Sequence, residues 1–360
     1  MIIRRERQED YDSILCLTYH AFLTLDFPGR QRMDEHFLVS LLRGSESVIQ
    51  ELSFVAECEG EIVGHIIYAR SEVLHEDGTT TQTITFGPLS VLPNYHKQGI
   101  GAALVRHSME RARELGYQAV LIVGVPDYYP KLGFRRAIDY GLVLPDGSAP
   151  DAFMAYELVS GSLNQGGEAH FLAPEYEIAE NDNAGYDIFH KKFMRENYSG
   201  KVMLRPLWDA DVDLMEKWLG RSHVARWYEH PEDWMHEIRE RRVEFSFIKH
   251  FIAEVDGAAI GFCQYYDCYD GRDHEDWYSA EVPGVTYSID YLIGEPESLK
   301  RGYGREMVRL LGEILSDLGA ERVIAQPEQD NFASRKALEA NGYVWNGDYY
   351  VLELNQTRIK

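Results

Sequence analysis

The sequence predicts an α/β chain of two tandem units, each a mixed sheet flanked by helices. Three observations predict this. Residues 54–68 read FVAECEGEIVGHIIY and residues 251–265 read FIAEVDGAAIGFCQY, so one block occurs twice. Each copy then runs to a turn ending in Gly-x-Gly, Gln98-Gly99-Ile100-Gly101 in the first and Arg301-Gly302-Tyr303-Gly304 in the second. An amphipathic helical pattern follows each turn, and an apolar strand-like run follows each helix. Order and spacing are kept, which marks a duplicated unit. Strand, crossover helix, strand implies a parallel pair inside each sheet.

The elements follow in order. Each unit opens with a short apolar strand ending in arginine, Ile2-Ile3-Arg4 and Val202 to Arg205, then a polar turn and a helix. Asp209 or Asp211 is placed to cap the second of these helices. The repeated block reads as a hairpin, with Glu59-Gly60 and Asp256-Gly257 as its turns. Thr81 to Leu89 and Thr286 to Ile293 are the next strands. Val105, Met109, Ala112 and Leu115 line one helical face, and Met307, Leu311, Ile314 and Leu318 line the other. Gly116 and Gly319 stand where helix C-caps belong, and strands Ala119–Val125 and Arg322–Ala325 come after them. The expected domains are residues 1–175 and 201–360, joined by a partly ordered linker over 176–200.

The 360-residue length suits two domains, and the composition, 45% hydrophobic and 26% charged, is globular. A net charge of -23 disfavours nucleic acid and anionic membranes as partners and favours cationic ones. Taken alone, such a charge also does no more than keep a cytoplasmic protein soluble. Four cysteines, Cys16, Cys58, Cys263 and Cys268, show no zinc spacing and fit a reducing cytoplasm. The opening MIIRRERQEDYDS lacks the apolar stretch of a signal peptide, and no run is long enough to span a bilayer. No metal is expected, because His223, His274 and Glu275 match no standard site.

Each Gly-x-Gly turn reads as a phosphate cradle. A helix N-terminus carries unpaired N–H groups and the positive end of the dipole, and glycine lets the backbone close around an anion. The cradle residues are Lys97, Gln98, Gly99, Ile100, Gly101 and Ala102 in the first copy, and Lys300, Arg301, Gly302, Tyr303, Gly304 and Arg305 in the second. The Walker pattern is absent, and Leu104 and Met307 stand where a dinucleotide fingerprint needs a small residue. A plain glycine-rich turn is the competing reading.

With these turns, both halves resemble the GCN5-related N-acetyltransferase (GNAT) superfamily, whose helix-opening Arg/Gln-x-x-Gly-x-Gly/Ala motif holds the coenzyme A pyrophosphate. Both copies depart at its leading position, with His96 and Leu299. The resemblance implies two tandem GNAT domains, each a mixed, largely antiparallel sheet with a splayed parallel pair flanked by helices, and acetyl-CoA as cosubstrate. GPLSVLPNYHKQGIGAALV (87–105), LGYQAVLIVG (115–124) and DYYPKLGF (127–134) make the first half similar to the YhbS-like branch. This implies that Leu89 and Val91 pair with pantetheine and that Tyr129 protonates the leaving thiolate. A packed aromatic is the competing reading of Tyr129, and no general base is assigned in this half.

The second half resembles aminoglycoside 6'-N-acetyltransferases and their relatives acting on hydroxylysine siderophores. MEKWLGRSHVARWY (215–228), EDWYSAEVPGV (275–285), SIDYLIGEPESLKRGYGREMV (288–308) and NFASRKALEANGY (331–343) carry the resemblance. It implies Asp290 as the catalytic aspartate beside the substrate amine, Ile293 and Asn331 as coenzyme contacts, and Trp227, Asp276 and Trp277 as lining of the substrate cleft. Tyr278 belongs to the same acidic, aromatic loop, which runs from Asp267 to Glu281 and suits a polycation through carboxylates and cation–π contact. A solvated acidic surface is the competing reading of that loop. Leu338 replaces the acid tyrosine of many relatives. The expected reaction is direct acetyl transfer to a primary amine of a small cationic substrate, an aminoglycoside above all. A siderophore precursor, a protein amine, or a tandem with one passive acyl-CoA-binding copy are the alternatives.

Overall fold

The computed structural model describes residues 1–23, 32–274, 278 and 280–354. The chain divides into two compact units, with the division between Phe189 and His190. In the first unit, β1 (Ile2–Arg5) leads through α1 (Tyr11–Phe22) and α2 (Glu35–Leu42) to β2 (Phe54–Cys58), β3 (Glu61–Leu74) and β4 (Thr80–Val91). Helix α3 (Ile100–Glu114) then precedes β5 (Ala119–Val123), β6 (Arg135–Arg136), β7 (Leu142–Val143), β8 (Phe153–Glu157) and β9 (Gly167–Phe171). Helices α4 (Glu175–Asn181) and α5 (Asn183–Tyr198) occupy the stretch expected to be a linker. The apolar residues there explain the difference: Ala179 and Tyr186 are buried against Phe37, so the segment has a core to fold onto.

The second unit repeats the plan. It contains β10 (Val202–Pro206), α6 (Val212–Leu219), α7 (Ser222–Ala225), α8 (Pro231–Arg239), β11 (Lys249–Val255), β12 (Ala258–Asp267) and β13 (Thr286–Ile293). Then come α9 (Tyr303–Asp317), β14 (Arg322–Ala325), α10 (Phe332–Glu339), β15 (Val344–Trp345) and β16 (Tyr350–Glu353). The strand orders correspond step for step: β1-β2-β3-β4-β5-β8-β6 in one sheet and β10-β11-β12-β13-β14-β16-β15 in the other. Along both paths only β4–β5 and β13–β14 are parallel. In addition, β9 pairs with β3 and β7, a lateral extension that the second sheet's described strands do not show.

The repeat extends to the backbone. Glu59-Gly60 and Asp256-Gly257 all take positive φ, 53° and 86° in one turn and 52° and 74° in the other, as the predicted tight hairpins require. Leu104, Val105 and Met109 of α3 pack on Ile84 and Val120, while Met307, Val308, Leu311 and Leu315 of α9 pack on Ile289 and Val323. Leu115 and Leu318, expected on these faces, are instead exposed C-cap residues just before the left-handed Gly116 and Gly319. Both keep right-handed helical dihedrals and an i→i−4 hydrogen bond, to the Arg111 and Ile314 carbonyls, so they are exposed as the last residues of their helices and not by leaving the spiral.

Each first strand is fastened by an arginine. The Arg4 guanidinium bonds Asp10 at 2.7 Å and Glu57 at 2.9 Å, and that of Arg205 bonds Asp211 at 2.6 Å and Glu254 at 2.7 Å. Asp211 stands at the N-cap position of α6, as one of the two expected residues, but its side chain makes no capping bond there. Asp211 receives the Trp208 N–H and Arg205, and Asp209 pairs with Arg241 and Arg242.

Candidate active site

Both Gly-x-Gly turns adopt one conformation. Lys97 and Gly99 have φ of 60° and 82°, Lys300 and Gly302 have φ of 61° and 86°, and each second residue is the N-cap of the helix that follows. A Cβ on Gly99 or Gly302 would meet nothing within 4 Å, so both turns border open space. The first N–H groups of a helix have no intrahelical acceptor. The backbones of Ile100, Gly101 and Ala102, and of Tyr303, Gly304 and Arg305, therefore meet that space with donors, an arrangement that fits a phosphate. Lys97, Gln98, Lys300 and Arg301 are exposed beside it, and the Gln98 amide donates to the Asn94 carbonyl.

Above each turn the parallel strands part. Strand β4 pairs with β5 only at Ile84 and Thr85, then runs on to Val91. Strand β13 pairs with β14 from Thr286 to Ser288, then runs on to Ile293. Leu89 and Val91, and Tyr291 and Ile293, thus lie on strand lengths whose parallel neighbour has diverged. Three carbonyls at these strand ends, and the side chain of Asn331, are occupied. His96 bonds the Val91 carbonyl at 2.9 Å, and His223 bonds that of Ile293 at 3.0 Å. The Tyr228 hydroxyl donates to the Tyr291 carbonyl at 2.8 Å, and the Asn331 side chain accepts the Ser334 N–H, capping α10.

Asp290 sits half-buried within the diverged length of β13. Gln264 is its cross-strand partner on β12, and the buried Gln264 amide donates to the Asp290 carboxylate at 3.2 Å. Sequence reasoning passed over Gln264. Its signal was present, because the antiparallel register of two adjacent strands sets the two residues opposite each other. In the first unit the corresponding place is a bulge: Ile66 pairs with Leu89 and Tyr68 with Phe86, leaving Gly87 and Pro88 opposite Ile67. That position offers no carboxylate.

Tyr129 is half-buried, with Phe86 at 5.8 Å, Phe134 at 5.6 Å and Tyr128 at 5.0 Å between ring centroids. Burial, reinforced by Tyr128, pushes its phenol well above the usual tyrosine range, so it is a neutral donor. The neighbouring Tyr128 was not singled out from sequence. Its hydroxyl lies 2.8 Å from the place a Cβ on Gly101 would take, directly over the cradle.

The described residues expected at the substrate cleft are engaged mainly in packing. Trp227 carries the Arg226 guanidinium 4.0 Å above its ring, so one aromatic face is already covered by a cation. Asp276 and Trp277 lie outside the described residues. Tyr278 packs edge-on against Tyr349 at 5.4 Å, in an apolar cluster with Tyr266 and Ile324. Buried Asp267 accepts the N–H groups of Tyr269 and Gly284, which makes it a loop-closing residue. Among the described residues no group of three or more His, Cys, Asp or Glu is arranged to hold a metal, and no helix is long and apolar enough to cross a membrane.

A mixed sheet whose parallel pair parts above a glycine cradle at a helix N-terminus, built twice, defines the acetyltransferase class of α/β proteins. Residues 208–349 match the family model described as "Acetyltransferase (GNAT) domain", and residues 19–134 match that of the "Acetyltransferase (GNAT) family". The chain belongs to the GNAT acetyltransferases, with one domain in each half. The uncharacterized N-acetyltransferase YjhQ of Escherichia coli (strain K12) is 38% identical over 98 residues, 27% of this chain and 54% of that protein. The chain thus spans about half the length of that relative. The aminoglycoside N(6')-acetyltransferase type 1 of Klebsiella pneumoniae is 27% identical over 159 residues, 42% of this chain and 78% of that protein. A solved structure of YhbS from Escherichia coli in complex with CoA is 25% identical and covers 49% of this chain and 91% of that chain, with a TM-score of 0.42.

Proposed function

We propose that the C-terminal unit transfers the acetyl group of acetyl-CoA to a primary amine of a small cationic substrate, the 6'-amine of an aminoglycoside. The observation that carries this reading is Asp290, held by Gln264 on the strand length that has left its parallel neighbour above the phosphate cradle. The relative named for aminoglycoside N(6')-acetylation supports the substrate class. In this reading the cradle from Lys300 to Arg305 holds the pyrophosphate, and the end of β13, beyond its pairing with β14, receives the pantetheine arm. Asp290 takes a proton from the substrate ammonium, directly or through water, and the neutral amine attacks the thioester carbonyl. A strand N–H stabilises the oxyanion that develops. The net charge of -23 raises the local concentration of a polycation.

The first unit serves as a second acetyl-CoA site, with Lys97 to Ala102 as cradle, and Tyr129 is its acid only for turnover that belongs to this copy. The Gly87-Pro88 bulge in the place of Asp290 favours a passive or acyl-CoA-binding role for this copy.

The test is acetyl-CoA-dependent thiol release across aminoglycosides, polyamines, hydroxylysine derivatives and peptides. Turnover on aminoglycosides carrying a 6'-amine, lost on those carrying a 6'-hydroxyl, is the expected result. Turnover restricted to hydroxylysine derivatives or peptides replaces the substrate. Absence of any amine-dependent release, with coenzyme A still bound, sinks the catalytic reading.

A further inference from the structure

The two units have exchanged a leucine and a tyrosine. Leu89 pairs with Ile66 and Tyr291 pairs with Cys263, and those partners stand at the same position of the repeated hairpin block. Side-chain contacts agree. Leu89 Cδ2 lies 3.7 Å from the Cβ position of Gly101, and Tyr291 Cε2 lies 3.8 Å from that of Gly304. The reverse exchange occurs after the next strand. Phe134 N–H bonds the Tyr129 carbonyl at 3.3 Å, and Tyr343 N–H bonds the Leu338 carbonyl at 3.2 Å. Both turns pass through a left-handed glycine, Gly133 at φ 95° and Gly342 at φ 85°. Where the first copy has Leu89 and Tyr129, the second therefore has Tyr291 and Leu338.

Leu338 is fully buried and has no proton to give. Tyr291 reaches the same neighbourhood from the strand. Its hydroxyl lies 3.0 Å from the Ser334 carbonyl and 2.7 Å from Ser334 Oγ. Ser334 is one helical turn before Leu338 on α10. A helical side chain leans back over the turn that precedes it, so a tyrosine at 338 would bring its ring to the turn that carries Ser334. We infer that Tyr291, assisted by Ser334, is the proton donor to the departing thiolate in the C-terminal unit. This inference rests on the acetyl-transfer reading above.

The protons balance. The amine nitrogen bonds the acetyl carbon, the carbon–sulfur bond breaks, and its electron pair stays on sulfur. Tyr291 Oη gives its proton to that sulfur, and the hydrogen bond from Ser334 Oγ–H steadies the phenolate. The ammonium loses two protons: the first leaves to solvent through Asp290 before attack, and the second, shed by the nitrogen as the amide forms, passes to the Asp290 carboxylate so restored. Solvent then reprotonates Tyr291 and deprotonates Asp290 after the products leave, so acetyl-CoA and amine yield acetamide and coenzyme A thiol. Burial keeps the phenol neutral, against the pull of the Ser334 bond, and the neighbouring Asp290 charge works in the same direction as burial.

The experiment uses the full chain and an amine whose turnover is lost in Asp290→Asn. Tyr291→Phe is expected to lower kcat by roughly a hundredfold with KM for acetyl-CoA within about threefold. Ser334→Ala is expected to lower kcat less. Fluorinated tyrosines at position 291 keep the ring and hydroxyl and change only the acidity, so kcat should vary systematically with phenol pKa. A purely structural tyrosine would leave kcat flat across that series. Unchanged kcat in Tyr291→Phe, or a flat fluorotyrosine series, overturns this inference and leaves acetyl transfer standing. An unaltered protein that binds coenzyme A and acetylates no amine overturns both.

Discussion

Gln264 and Asp290 face each other across adjacent antiparallel strands, and the Gln264 amide donates to the Asp290 carboxylate at 3.2 Å. The pair fixes the carboxylate where the sheet opens. Asp290→Asn is expected to lower kcat by about a hundredfold or more while coenzyme A affinity, read by calorimetry, stays within about twofold. Gln264→Glu sets a second carboxylate against the first. Like charges disfavour ionisation, so the acidic limb of the kcat/KM profile should move to higher pH by about one unit or more. An unmoved limb would remove Asp290 from the base role.

Tyr129 makes a separate prediction for the first unit. Its phenol is raised by burial, and a raised tyrosine keeps its proton to higher pH than a free one. Turnover that survives Asp290→Asn and belongs to the first unit should show no alkaline fall below about pH 10. Tyr129→Phe should reduce that residual rate by about tenfold or more. A residual rate indifferent to Tyr129→Phe would assign this ring to packing alone.

The cradles respond through their backbone. Gly99 and Gly302 have φ of 82° and 86°, and a Cβ on either would touch nothing within 4 Å. Alanine there incurs only the left-handed backbone penalty, about 1 kcal/mol. Gly99→Ala and Gly302→Ala should each lower the urea midpoint slightly and weaken coenzyme A binding at one of two sites. Gly101→Ala differs, because its Cβ would come within 2.8 Å of the Tyr128 hydroxyl and displace that ring. Calorimetric titration that resolves two sites distinguishes the cases.

Arg205, Glu254, Asp211 and His190 form a buried charge network. Burial alone would raise the Glu254 carboxyl, but the Arg205 guanidinium and His190 outweigh it and hold the group at about 2. A depressed carboxyl stabilises the fold fully above its unfolded value near 4.5 and loses that contribution as pH falls toward about 2. Urea unfolding of the second unit should therefore weaken steeply between those limits. Glu254→Gln should cost about 3–5 kcal/mol at neutral pH by leaving Arg205 incompletely paired. The Arg4–Glu57 pair is more open to water, with side chains 21% and 28% exposed, so Glu57→Gln should cost less. Equal losses in the two variants would contradict this account.

Local chemistry made much of the fold legible. Glu59-Gly60, Asp256-Gly257, Gly116 and Gly319 predict turns and caps because positive φ is a local demand, and the structure places each there. Asp290 was nominated because the strand pattern and the family resemblance both act within a few residues. Gln264 and Ser334 were missed because their meaning depends on partners 26 and 43 residues away. The strand expected to stop at Leu89 continues to Val91, since the bulge absorbs Gly87-Pro88 and lets pairing resume. The stretch 176–200 has the polar composition of a linker because the exposed faces of its helices are strongly polar, while Ala179, Tyr186, Phe193 and Met194 supply the buried ones.

The division between Phe189 and His190 falls inside one uninterrupted helix, Asn183–Tyr198. Phe189 packs on Phe37, in the first unit. His190 bonds Glu254 at 3.0 Å, and the Lys191 backbone lies 2.9 Å from the Cβ position of Gly257, both in the second unit. A gene severed before this helix robs one product of its packing, and a gene severed after it robs the other. Separate halves that each fold must therefore both inherit the helix, so overlapping fragments should outlive abutting ones in a protease.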